Sequence, residues 1–172
     1  MHFSSLYIED GALIYNVDYK SIRSLVPQIE KLYDIKLKDR GEAHITVITP
    51  PEAQGWFTDH RGINYYISAM EIHQKYSSVI QDASFKIECL GSLKERANQV
   101  FYLVVSSPEL IAIRKEILDE LKRRAMFTGT KTNFNYKNYF PHITIGYIDS
   151  NIHSKPKNIN TCSNIQNIKF LD

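Results

Sequence analysis

Hydrophobic and polar residues alternate along the stretch 44–48, and this alternation predicts a β-strand. Successive side chains of a strand point to opposite faces, so residues two positions apart share a face. His44 and Thr46 therefore share one face, roughly 6 to 7 Å apart along the strand, and Ile45 and Val47 share the other. The strand is expected to have one polar face and one apolar face.

The same pattern returns near the end of the chain. The two stretches read AHITVI at 43–48 and PHITIG at 141–146, and the second places His142 and Thr144 on one face. The histidines lie 98 positions apart (142 minus 44). A single His-x-Thr arises readily by chance, whereas two copies in the same strand context favour a functional pair. The alternative is two half-buried strands whose His and Thr are ordinary hydrogen-bonded polar groups.

Other elements follow from apolar periodicity in the first half of the chain. Strands are predicted at 3–8 and 12–17, with a turn at 10–11. A helical stripe runs from Ile22 to Tyr33, and Pro27 implies that this helix is kinked or begins late, after a Ser24 cap. Consecutive prolines at 50–51 end the first motif strand, and 52–64 is expected to be a long loop.

The second half gives clearer signals. A capping-box pattern at 68–71 predicts a helix over 69–81. Strands are predicted at 84–90 and 99–106, joined by a polar connection at 91–98. Ser107, Pro108 and Glu109 form a helix start, and the basic triplet 122–124 is expected to close that helix. A polar linker at 128–138 precedes the second motif strand, and a last strand is predicted at 165–171.

The order of these elements indicates the α+β class, with two similar lobes and helices on the outer faces of the sheets. We expect one domain spanning 1–172, because 172 residues with 43% apolar content suffice for one core and are few for two. The formal charge of +2 allows an anionic ligand but lacks the Lys/Arg excess of an extended nucleic-acid binder. A small or terminal phosphate therefore fits better than duplex DNA.

The two cysteines, Cys89 and Cys162, have no Cys-x-x-Cys spacing and no disulfide-rich setting. We expect them to be reduced thiols of an intracellular, cytoplasmic protein, with a nuclear location left open. The sequence has no signal-peptide pattern at its start and no apolar run that would span a bilayer. No membrane association is expected, and we expect a monomer.

Both motif strands, and above all YFPHITIG at 139–146, resemble the signature of the two-histidine (2H) phosphoesterase superfamily. The longer first motif, HITVITPPE at 44–52, is similar to that of its Swiss Army Knife, RNA-repair-like branch. The resemblance implies a bilobal α+β fold with two pseudo-symmetric lobes, whose antiparallel sheets line a central cleft. It also implies a phosphodiesterase acting on RNA-derived esters, namely 2′,3′-cyclic phosphates or 2′,5′-linked ends.

The four motif residues suit that chemistry. In-line cleavage of a phosphodiester needs a base for the attacking oxygen and an acid for the leaving oxygen, and two imidazoles can supply both near neutral pH. Thr46 and Thr144 would donate hydrogen bonds to the nonbridging oxygens. The resemblance implies these same roles, with the assignment of base and acid left open. The scheme needs no metal and no cofactor.

Further substrate contacts are predicted from loops near the motifs. Lys94, Arg96 and Lys137, together with Arg61, are candidate phosphate-binding cations, and Tyr139 is a candidate for stacking on a base or donating to phosphate. The remaining histidines lack the motif, and no metal-ligand spacing is present in the sequence.

Two other functions stay open on the residues alone. A non-catalytic module would bind a nucleotide or RNA end without turning it over, although intact histidines disfavour this. The domain could also be one part of an RNA repair assembly. The expected ligand in every case is an RNA terminus or a small nucleotide.

Overall fold

A computed structural model describes residues 12–54, 56, 63–129 and 131–163 of the chain. The described elements are, in chain order, β1 (Leu13–Asn16), α1 (Tyr19–Arg23), α2 (Val26–Tyr33), β2 (His44–Ile48), α3 (Pro50–Gln54), α4 (Ile63–Gln81), β3 (Lys86–Glu95), β4 (Asn98–Ser106), α5 (Pro108–Thr128) and β5 (His142–Tyr147), followed by a 3₁₀ turn at Ile159–Thr161. The predicted strands at 3–8 and 165–171 lie outside the described residues.

The described strands form one five-stranded antiparallel sheet in the order β1-β2-β5-β4-β3. Its two motif strands, β2 and β5, are neighbours although nearly a hundred residues separate them in sequence. The predicted α+β class and the antiparallel pairing are confirmed.

The chain divides into two compact units. The helical unit comprises Met1–Tyr15, Thr46–Ser84 and Ser107–Tyr139, and the sheet unit comprises Asn16–Ile45, Phe85–Ser106 and Phe140–Asp172. We name them for the elements they hold, α3 to α5 in the first and β3 to β5 in the second. That 1–172 is a single domain stays a prediction.

In the sheet unit, β4 is the central strand and both of its faces are covered. One face forms a cluster with the segment that follows β5, made up of Val100, Tyr102, Val104 and Ile152 with Cys89, Leu93, Tyr147 and Cys162 packed against them. On the other face the ring of Phe101 meets that of Tyr33 in α2, with centroids 4.8 Å apart. The alternation along β4 thus separates a side covered by α2 from a side covered by residues 148–163, the segment after β5 that we call the tail.

The helical unit has a buried cation at its centre. Arg114 of α5 is fully buried, and its guanidinium donates to both carboxylate oxygens of Glu52 at 2.7 and 3.2 Å. It also donates to the carbonyl of Val47 in β2 and to carbonyls of residues 135, 136 and 138. The ring of Phe134 lies 4.8 Å from the guanidinium carbon. Arg114 therefore ties α3, the end of β2 and the linker before β5 together.

Two short helices replace the single predicted helix over 22–33. Pro27 lies in the first turn of α2, where its missing N–H costs nothing. The predicted Ser24 cap is wrong, because Ser24 closes α1 and its hydroxyl donates to the carbonyl of Ser21, while Leu25 is the N-cap of α2.

The predicted loop after the first motif strand begins instead with α3. Thr49 and Glu52 form a reciprocal capping pair, because the Glu52 carboxylate accepts from the Thr49 N–H at 2.9 Å and the Thr49 hydroxyl accepts from the Glu52 N–H at 3.3 Å. The two prolines occupy the first turn, where helices tolerate them. The sequence TPPE was thus a helix start as well as a strand end.

The β3–β4 hairpin is longer than predicted. β3 continues to Glu95 and a two-residue turn leads to β4, so the expected polar connection at 91–98 is wrong. The reason lies at Gly91, which pairs with Tyr102 across the hairpin. A Cβ added at Gly91 would lie 2.5 Å from Cε2 of Tyr102, so glycine lets this ring lie flat across the strand.

The two long helices were predicted in type and differ at their ends. The helix over 69–81 is confirmed, and α4 begins earlier, at Ile63. The Ser107 cap of α5 is confirmed, with its hydroxyl accepting from the Leu110 N–H at 3.1 Å. The expected end at 122–124 is wrong, because Arg124 pairs with Glu71 and Glu120 inside the helix and α5 runs on to a left-handed Gly129 cap.

Cys89 and Cys162 form a disulfide, which corrects the prediction of reduced thiols. The bond joins residues 73 positions apart, and an isolated β-bridge between Gly91 and Cys162 brings the tail alongside β3. No local spacing signals such a contact. The inference from cysteine chemistry to an intracellular location loses its basis here.

We predict that replacing both cysteines by serine lowers the free energy of unfolding by about 2–4 kcal/mol, because the disulfide restricts the unfolded chain. Urea denaturation of the wild type with and without dithiothreitol provides the matched comparison. The reduced wild type should approach the double variant, which itself should not respond to dithiothreitol. A wild type that is equally stable in both conditions would contradict a stabilising bond.

Candidate active site

The two motif strands lie side by side, with Ile45 paired to Ile143 in an antiparallel register. Both isoleucines are completely buried, whereas His44, Thr46, His142 and Thr144 are all half-buried. The predicted alternation of polar and apolar faces along each strand is therefore confirmed.

The register brings both histidines to one face of the sheet. Continuing it by one residue places His44 opposite Thr144, with Cβ atoms about 4.5–5.5 Å apart, and His142 on the adjacent diagonal at about 7–8 Å. The electrostatic influence of His44 also contributes to lowering the pKa of His142. The imidazoles are thus close enough to act on one small group.

Strand β4 pairs with β5 and contributes two side chains to the same face. Tyr102 pairs with Thr144 and Val104 pairs with His142, so these four residues share the side covered by the tail. A β-bulge between the Phe101 and Tyr102 pairings shifts the register there. The Tyr102 ring meets the imidazole of His142 edge to face, with centroids 5.7 Å apart.

His142 is fixed as one tautomer by its two neighbours. Its Nδ1 lies 2.8 Å from the carbonyl oxygen of Phe140, and because a carbonyl only accepts, Nδ1 carries the proton. Its Nε2 lies 3.3 Å from Nζ of Lys157, which donates to it. Burial lowers the pKa of His142 to about 4, and the charges of Lys157, His153 and His44 add to that effect. The ring is neutral, with its lone pair on Nε2.

His44 has a different electrostatic setting. Its Nδ1 lies 3.6 Å from Oε1 of Glu42, and a guanidinium nitrogen of Arg40 lies 3.4 Å from the same oxygen. Burial lowers the pKa of His44, the Glu42 carboxylate opposes that shift, and Arg40 adds to it. Nδ1 is buried and makes no hydrogen bond within the described residues. Of the two imidazoles, this is the one with an anion beside it to favour a proton.

A comparison with protein-family models decides the family. The model described as "Swiss Army Knife, 2H phosphoesterase domain" matches residues 14–153, which is most of the chain and includes both His-x-Thr strands. The chain belongs to the 2H phosphoesterases. Its predicted membership of that superfamily is confirmed, and a 2H phosphoesterase hydrolyses phosphoesters. Searches of curated proteins and of solved structures gave no significant match.

Lys157 is the functional candidate that sequence reasoning missed. Its side chain is buried, and its ammonium donates to Oδ1 of Asn151 at 2.8 Å as well as to His142. The ring centroid of Tyr102 lies 5.5 Å from Nζ. Lys157 also lies four residues beyond the part of the chain that the 2H phosphoesterase model matches. A lone lysine in a polar tail carries no local signal.

The cations predicted on the hairpin do not approach His142. Lys94 pairs with Gln99 of β4, and His142 pairs with Val104 of the same strand. Gln99 and Val104 are separated by about 17 Å along β4. Arg96 lies in the hairpin turn, and both side chains are exposed. In this 2H phosphoesterase, Lys157 rather than a hairpin residue places an ammonium beside His142.

Two further predicted substrate contacts, Lys137 and Tyr139, belong to the helical unit. Lys137 is exposed in the helical unit, with its ammonium 5.8 Å from the ring centroid of Tyr136. Tyr139 stacks against Arg114, whose guanidinium carbon lies 4.6 Å from the ring centroid. Its hydroxyl is buried without a hydrogen-bond partner in the described part of the chain, and burial raises its pKa. Arg61 lies outside the described residues.

Within residues 12–54, 56, 63–129 and 131–163, no three or more His, Cys, Asp or Glu side chains form a cluster suited to a metal ion. Among the helices described, none combines the length and apolarity that a membrane crossing requires.

Proposed function

We propose that this 2H phosphoesterase hydrolyses RNA-derived phosphodiesters, 2′,3′-cyclic phosphates or 2′,5′-linked ends, by metal-independent general acid/base catalysis. The observation that carries the proposal is the placement of both imidazoles on one face of adjacent strands, with Thr144 opposite His44. That arrangement can place a base and an acid on opposite sides of one phosphorus atom.

The surroundings of the two histidines favour His142 as the base. Its Nε2 is unprotonated because Phe140 fixes the proton on Nδ1, so Nε2 can accept a proton from the attacking water. His44 would then be the acid, since the Glu42 carboxylate favours its protonated form. As the water oxygen bonds to phosphorus, the ester P–O bond breaks and His44 protonates the leaving oxygen.

The hydroxyls complete the scheme. Thr144 lies opposite His44 and two residues from His142 on the same face, and Thr46 follows His44 by two residues on β2. We propose that both donate hydrogen bonds to the nonbridging oxygens and stabilise the charge that grows on them. The substrate is an RNA terminus or a small nucleotide, bound by a monomer.

The direct test is an assay of 2′,3′-cyclic mononucleotides and 2′,5′-linked dinucleotides in EDTA, with the matched 3′,5′-linked dinucleotide as control. We expect turnover of at least one of the first two and little of the control. Loss of activity on chelation would contradict the metal-independent scheme. Binding without turnover of any substrate would contradict the enzyme and favour a binding module.

The assignment of base and acid makes a prediction about pH. The base must be unprotonated and the acid protonated, so kcat/KM should rise through the pKa of His142, about 4, and fall through that of His44, which lies below its ordinary 6.5. We expect a bell-shaped profile with its maximum on the acid side of neutrality. A maximum above pH 8 would show that other groups carry the proton transfers.

A further inference from the structure

Lys157 is a buried ammonium whose described neighbours include no anion. Its contacts are the amide of Asn151, the imidazole of His142 and the ring of Tyr102, and no described carboxylate forms an ion pair with it. Two of the three N–H donors of the ammonium have partners among these residues, namely His142 and Asn151. Burying a charge is unfavourable when no counter-charge accompanies it.

The tail that carries Lys157 is held against the sheet at several points. Cys162 is bonded to Cys89 and paired to Gly91, and the Tyr102 hydroxyl donates to Thr161 at 2.7 Å. Earlier in the tail, Asn98 of β4 donates to the carbonyl of Ser150 at 2.7 Å. The position of the ammonium beside His142 is therefore built into the fold of the sheet unit.

Most of the ionisable groups around this position are basic. His142 faces Lys157 directly, and His153, His44 and Arg40 also contribute positive or titratable charge. Glu42 is the acidic group of the set, and it lies beside His44 and Arg40. Burial lowers the pKa of Lys157 to about 8, and Arg40 adds to this effect. An anion entering between the histidines would supply the missing counter-charge.

Building on the proposed function, we propose that Lys157 is a catalytic residue that binds the phosphate of the substrate through its ammonium. In the free protein the ammonium donates to Nε2 of His142. When phosphate enters, the ammonium donates to a nonbridging oxygen instead. Nε2 of His142 is then free to accept the proton of the attacking water. Lys157 would thus couple binding of the anion to release of the base.

Binding of inorganic phosphate, measured by isothermal titration calorimetry, tests this without requiring turnover. Lys157→Met should weaken phosphate binding at least tenfold, and Lys157→Arg should recover part of the loss. Lys155→Met is the matched control, because Lys155 is exposed two residues away and pairs with Glu95 at 3.9 Å, and it should bind as the wild type does. Lys157→Gln, which keeps a donor for Asn151, replaces Lys157→Met if the latter misfolds.

The pH dependence gives a readout that loss of packing would not imitate. Phosphate binding by the wild type should decline at high pH as the ammonium loses its proton, and Lys157→Gln should lack that decline. On the acid side, removing the positive charge beside His142 should move the rising limb of kcat/KM to higher pH, since that charge lowers the pKa of the imidazole.

The outcomes separate this inference from the proposed function. Hydrolysis by the wild type with unchanged phosphate affinity, kcat and KM in folded Lys157→Met would overturn the role of Lys157 and leave the phosphodiesterase standing. Phosphate binding that depends on Lys157, in a protein that cleaves none of the esters, would support the anion site and contradict the enzyme. Wild-type protein that binds no phosphate would overturn the inference.

Discussion

Replacing His142 by alanine should lower kcat by about 10²- to 10⁴-fold on any phosphodiester that the wild type cleaves, because the variant has no base at that position. His44→Ala should cause a loss of similar size, since the leaving oxygen then departs without a positioned acid. Steady-state kinetics over a range of pH measures both effects. The rising limb that belongs to His142 should also vanish from the residual activity of His142→Ala.

His153→Ala is the matched control for these variants. His153 is exposed in the tail and lies near enough to influence the pKa of His142, yet it belongs to neither motif strand. We expect its removal to leave kcat within a few fold of the wild type. Wild-type turnover in a folded His44→Ala or His142→Ala protein would refute the paired acid and base.

Replacing Arg114 by methionine should lower the free energy of unfolding by about 3–5 kcal/mol, because Glu52 and several carbonyls would lose their shared donor in a buried place. Methionine fills much of the same volume, so the loss reflects the polar network more than packing. Urea denaturation followed by circular dichroism gives the value.

Two further variants separate charge from geometry at this position. Arg114→Lys keeps the charge, but one ammonium cannot reproduce the planar set of five donors, so it should recover little of the loss. Lys115→Met, at the next and exposed position of α5, should change stability by less than about 0.5 kcal/mol. Equal stability of Arg114→Met and Lys115→Met would mean that the network contributes nothing measurable.

Local rules predicted the features of this protein that depend on local periodicity. The alternation of β2 and β5 fixed which face carries His44 and His142, because a strand has only two faces and the isoleucines had to be buried. The N-cap of α5 was also predictable from Ser107 and Pro108, because the residues that begin a helix are favoured by contacts within its first turn.

Features that depend on contacts between residues far apart in the sequence were not predicted. Lys157 and Cys162 owe their positions to a tail folded over β4, and nothing in their immediate sequence indicates that path. Nothing in the sequence near Arg114 distinguishes it from the exposed basic residues of α5, yet its guanidinium is fully buried. The prediction of a polar connection at 91–98 failed because Gly91 lies within β3, where its missing side chain makes room for Tyr102.

The bond between Cys89 and Cys162 closes a covalent ring that contains β4, α5 and β5. A single proteolytic cut anywhere between these cysteines would leave the two fragments joined until the bond is reduced. His142 and Lys157 both lie inside the ring, whereas His44 lies outside it. A nick in the linker before β5 would therefore leave all three residues in one covalently connected molecule.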